Sequence, residues 1–102
     1  MSEGYSCKIY DTYYTIPPHM MEGLLLYIEH GILPGSFLCA VLTNDLKEAL
    51  ANADMHNIKN IPAYVSYLYN EVDSRCWGSR EKVQDWVNAK ALERLRDEEA
   101  GT

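Results

Sequence analysis

Trp77-Gly78-Ser79-Arg80 is the stretch of this chain whose residue types and spacing come closest to a binding chemistry. Backbone N–H groups at a helix start, a serine hydroxyl and an arginine together suit an anion. Ser79 is the expected cap of that helix, and Trp77 offers a face on which a base or another ring stacks. Arg75, Arg80 and Lys82 form the one tight basic cluster, so an anion site is expected to draw on them. Upstream, Tyr69 adds a second stacking surface, and Asn70 supplies an amide suited to a base edge. Ser36 and Asn44 complete the candidate ligand-binding set, as polar residues on or beside an apolar helix. The same residues also fit plainer roles: Trp77 plugging a corner, Ser79 and Ser36 capping helices, Asn70 closing one.

Other chemistries find little support. His19, His30 and His56 are far apart and form no H-x-x-x-H or H-E-x-x-H, so no metal site is expected. No cofactor motif is present either, since the chain lacks both G-x-x-x-x-G-K-[ST] and G-x-G-x-x-G. Cys76 lies just before a helix start, where a thiolate is stabilised, but no histidine is tied to it by sequence. Carboxylate pairs such as Asp45 with Glu48 carry no mark of an acid/base couple. No motif demands an enzyme, and a binding protein is expected.

Composition narrows the classes further. The chain has 102 residues, 47% of them apolar and 24% charged, the balance of an ordinary globular domain. Three cysteines, widely spaced and odd in number, make a poor disulfide framework. Neither a signal peptide nor a membrane span is expected, so the reading is cytoplasmic. The charge is uneven. Residues 1–74 hold three Lys/Arg against nine Asp/Glu, whereas residues 75–102 hold six of each. Generic nucleic-acid binding, which needs clustered cations, is not expected. Eight tyrosines suggest a contact surface or a homo-oligomer.

These residues need elements to position them. The reading is an all-α fold: a compact four-helix domain with an extended, tyrosine-rich N-terminal arm. The arm covers 1–15, the single helical domain 16–97 and a frayed tail 98–102. No strand is predicted in the arm. The first helix begins at Pro17-Pro18 and stops at Gly31. A second starts near Ser36 and runs with one apolar face as far as Ala53. A third begins at Asp54 or Asn60, with Pro62 in its first turn or marking a kink. It buries Ile61, Val65, Leu68 and Val72, leaving Tyr64, Tyr67 and Tyr69 on the rest of its surface. The last starts after Ser79, with Trp86 beside a run of Val83, Val87, Ala91 and Leu95.

Several blocks together resemble a family of small, uncharacterised proteins carried by tailed phages and prophages. They are Ile16-Pro17-Pro18-His19-Met20, Pro34-Gly35-Ser36-Phe37-Leu38, Asn44-Asp45-Leu46-Lys47-Glu48-Ala49, Leu68-Tyr69-Asn70-Glu71 and Cys76-Trp77-Gly78-Ser79. The resemblance spans about residues 16–90. It departs at Leu26, where the family often has a basic residue, and at Asp73, where it often has proline. It implies no enzyme activity but a phage accessory role, a class that includes inhibitors of bacterial immunity. The expected function is an oligomeric binding protein that sequesters a small nucleotide immune signal in the host cytosol. The alternatives are an acidic inhibitor of a host defence or nucleic-acid-handling protein, and a self-assembling accessory protein.

Overall fold

A computed structural model describes residues 3–100. In chain order it contains β1 (Tyr5–Ile9), β2 (Thr12–Ile16), α1 (Pro18–His30), α2 (Ser36–Leu42), α3 (Leu46–Asn52), α4 (Met55–Lys59), α5 (Ile61–Glu71) and α6 (Arg80–Ala100), with a 3₁₀ turn at Ser74–Cys76 before α6. The fold is therefore mixed, not all-α, and the four expected helices are six among the described residues.

The N-terminal arm is the first correction. Residues 5–16 form an antiparallel hairpin, paired from Tyr5 with Ile16 to Ile9 with Thr12. Its period-two pattern is real but short: Tyr5, Cys7 and Ile9 turn inward while Ser6 and Lys8 face out. The turn at Tyr10-Asp11 has neither glycine nor asparagine, and Tyr10 takes the left-handed backbone itself, at φ 55°. Five-residue strands joined without a turn signal read as an irregular arm. The hairpin packs on its own subunit. Tyr5 meets Tyr67 edge-on at 5.0 Å, and its hydroxyl lies 3.1 Å from Ser66 Oγ. Thr15 N donates to Asn60 Oδ1 at 2.8 Å. Residues 1 and 2 of the arm, and 101 and 102 of the tail, lie outside the described residues.

The second correction is the expected long helix from Ser36 to Ala53, which breaks into α2 and α3. Asn44 adopts φ 61°, a conformation asparagine tolerates better than most residues. Thr43 turns its hydroxyl back onto the Cys39 and Ala40 carbonyls, ending α2. Asp45 then caps α3 by accepting from Glu48 N. Both candidate starts of the third helix are used. Asp54 caps α4, and Asn60 precedes α5 with Pro62 in its first turn. Ser36 is the first residue of α2 rather than its cap, which is Gly35.

The core runs from Ile16 through Leu24 and Tyr27 of α1, Phe37 and Leu42 of α2, and Tyr64 and Leu68 of α5 to Cys76 and Val83. Helix α5 is turned relative to the expected face. Tyr64 is fully buried, donating to Asn57 Oδ1 at 2.7 Å and lying edge-on to Phe37, while Val65 is 52% exposed. Phe37 of α2 and Asn57 of α4 cover Tyr64, while the hairpin packs beside it on Ser66 and Tyr67 through Tyr5. At the other end, Gly31 closes α1 at φ 68°, where a Cβ would sit 2.5 Å from Lys90 Cβ of α6. Trp86 Nε1 donates to the Tyr27 and Ile28 carbonyls, tying α6 to that helix end. Among the described residues no helix is long and apolar enough to cross a membrane.

Candidate functional site

The link between α5 and α6 carries Arg75, Trp77 and Ser79, and its polar groups are taken up by the fold. Tyr27 Oη donates to the Cys76 carbonyl at 2.6 Å in the core. Gly78 N donates to the Leu42 carbonyl at 2.7 Å, holding the link against the end of α2. Gly78 itself needs φ 116°, a backbone that side-chain-bearing residues rarely adopt. Trp77 is half-buried against the core and donates its indole N–H to the Val72 carbonyl at 3.3 Å. Ser79 Oγ accepts from Lys82 N at 3.1 Å, the N-cap of α6. Arg75 points back on its own turn, with Nε and Nη2 on Asp73 Oδ2 at 2.9 and 2.6 Å. Those bonds hold the Asp73 carboxyl below the usual carboxylate range. Cys76 is buried and donates to the Asp73 carbonyl, and burial pushes its thiol pKa up, which disfavours a thiolate.

Arg80, one residue further on, behaves differently. Its side chain is 84% exposed and, among the described residues, meets only Asp45 Oδ2, at 3.9 Å. It lines a groove of about 520 Å³ built from three helix faces. Ser36, Cys39, Ala40 and Thr43 follow helical spacing along α2 and its end. Asp45, Glu48 and Asn52 make a row on α3, and Arg80, Val83 and Gln84 a row on α6. Leu33 from the preceding loop adds apolar surface. Cys39 is held as a thiol here, donating to the Pro34 carbonyl at 3.2 Å with its pKa raised by burial.

Of the candidate residues, the structure thus brings Ser36 and Arg80 into one groove. Asn44 faces a neighbouring apolar dent of about 60 Å³ beside Val41, Leu46 and Ile61. Tyr69, 77% exposed, and Asn70 border a shallow hollow of about 420 Å³ with Ile9, Pro62 and Val65. Asn70 Nδ2 is turned onto the Ser66 carbonyl at 2.9 Å. The groove residues that sequence reasoning passed over are Asp45, Glu48, Asn52 and Gln84. Their helical spacing is visible in the sequence, but the break at Asn44 that turns α3 toward α6 is not. Among the described residues no group of His, Cys, Asp or Glu is placed to hold a metal ion.

Comparison with protein families, curated proteins and solved structures finds no match to this chain.

Proposed function

We propose that this chain is a binding protein that sequesters a small nucleotide signal of bacterial immunity, acting in the host cytosol during phage infection. The observation that carries the reading is the convergence of Ser36 and Arg80, far apart in sequence, on one groove of about 520 Å³. That volume falls within the roughly 300–1,000 Å³ of small-ligand sites. The groove has an apolar floor at Ala40 and Val83 and a rim of one exposed guanidinium, two carboxylates, two amides and two hydroxyls, a mixture that can orient a ring bearing a phosphate. The resemblance to phage-carried proteins adds the biological setting. The groove is open on one side, so a homo-oligomer with the groove at a subunit junction belongs to the same proposal.

The test is a thermal-shift panel of cyclic dinucleotides, cyclic ADP-ribose isomers, NAD and common nucleotides, with the native particle mass measured alongside. A ligand at a hundredfold excess over Kd stabilises the fold by about 2.7 kcal/mol. In a domain of this size that raises Tm on the order of 10 °C. A panel without any shift would refute the nucleotide reading.

A second reading, an inhibitor that docks on a host protein, is favoured by the apolar strip around Val65. Val65 and Ile61 border both the dent beside α3 and the hollow beside Tyr69, so the two surfaces are continuous. Under this reading the wild-type chain captures the host protein, Val65→Lys loses that capture, and Arg80→Ala keeps it.

A further inference from the structure

The hydrogen-bonding groups of the groove are not equally available. Thr43 donates to its own helix at the Cys39 and Ala40 carbonyls. Asp45 is divided between Glu48 N at 3.2 Å and the Arg80 guanidinium at 3.9 Å. Asn52 Nδ2 sits on the Glu48 carbonyl at 2.8 Å, and Gln84 Nε2 on Asn88 Oδ1 at 3.0 Å. What is left is the exposed Ser36 hydroxyl, the N–H fork of Arg80, and the carboxylate of exposed Glu48, which Asn52 Nδ2 meets at a long 3.4 Å.

A carboxylate in a groove that takes a phosphate is a liability unless the ligand brings donors to it. It accepts through two oxygens and donates through neither. Guanine carries N1–H and an amino N–H side by side on its Watson–Crick edge, spaced to meet both oxygens. Adenine places a ring lone pair next to its amine and turns that lone pair toward the carboxylate. The groove charge also limits the phosphate. The one guanidinium, held by Asp45 only at 3.9 Å, can turn to a single phosphate, and among the described residues no second cation lines the groove for a polyphosphate chain. Resting on the nucleotide reading above, we propose that the ligand is a guanine nucleotide with one phosphate per base. Glu48 reads its Watson–Crick edge and Arg80 holds the phosphate.

Calorimetric titration of the full chain with cyclic di-GMP and cyclic di-AMP tests this, on wild type, Glu48→Gln and Arg80→Ala. The two charge-assisted bonds to Glu48 predict that wild type binds cyclic di-GMP about 10- to 100-fold more tightly than cyclic di-AMP. Glu48→Gln removes that preference, and Arg80→Ala weakens both ligands alike. Thermal unfolding of each variant, expected to match wild type, checks that the fold is intact. Equal binding of the two dinucleotides by wild type, or a guanine preference that survives Glu48→Gln, overturns the guanine assignment while the nucleotide reading stands. Binding of neither ligand also overturns the guanine assignment, and the nucleotide reading then falls only if the whole thermal-shift panel is silent.

Discussion

The link from Val72 to Ser79 and the groove beside it are built from the same kinds of residue, yet they differ in what is left over. In the link, an indole, a serine and an arginine are each bonded to their own turn, cap or neighbour. In the groove, Arg80 and Glu48 stand exposed with long, weak contacts. Residue type nominates a site, but spare hydrogen-bonding capacity is what a ligand uses. Folding consumed that capacity in the region that looked richer and left it in the region that looked ordinary.

The contrast is sharpest where the link is cut. Trp77→Ala removes a half-buried ring and its bond to Val72, and is expected to cost about 2 kcal/mol, below the range for a fully buried tryptophan. Nucleotide affinity of the folded fraction should stay at the wild-type value. Urea unfolding with parallel titration checks both, and a loss of affinity without loss of stability would move the site back to the link. Tyr27→Phe leaves the buried Cys76 carbonyl without its donor and should cost about 1–3 kcal/mol, read by the same unfolding curve.

The same buried hydroxyls set an alkaline limit. Burial raises the Tyr27 pKa, and burial with Asp54 pushes Tyr64 up to about 12. The unfolded tyrosine ionises near pH 10. The native state therefore holds more protons than the unfolded one above that pH, and stability falls as pH rises. It is complete below pH about 10 and declines through about 12 for Tyr64. Tyr64→Phe and Tyr27→Phe should each flatten the slope of the urea midpoint between pH 9.5 and 12, taken as about that window. An unchanged slope contradicts the burial of those hydroxyls.

How far these regions could be read beforehand follows from local and distant causes. The start of α1 at Pro18, its stop at Gly31 and the cap at Ser79 are set by residues within a turn of each boundary, and all were legible. Asp54 and Asn60 were legible as rival starts because both are starts. The hairpin was not, since its strands are five residues long and its turn forces Tyr10 into the left-handed region. Tyr64 is buried because Phe37 of α2 and Asn57 of α4 cover it, contacts that nothing local to α5 announces. Ser36 and Arg80 belong to one candidate set by residue type alone. Nothing local brings them together, because the groove depends on the break at Asn44.

Smaller effects refine the picture. Tyr10 is 95% exposed, so Tyr10→Gly loses no packing and relieves the left-handed strain. It should stabilise the chain by about 0.5–1 kcal/mol in thermal unfolding. Arg75→Ala should return the Asp73 carboxyl toward the usual range, seen as a rise in its pKa by NMR titration. Nucleotide affinity should not change, because that pair is spent within its own turn.

The central claim is that the groove, and not the link, takes the ligand. Amide and indole resonances followed during titration with cyclic di-GMP test it most directly. The account predicts that the Ser36 and Glu48 backbone signals and the Asn52 and Gln84 side-chain amides move, while the Trp77 indole N–H stays on Val72. Movement of the Trp77 indole with a silent groove would contradict it.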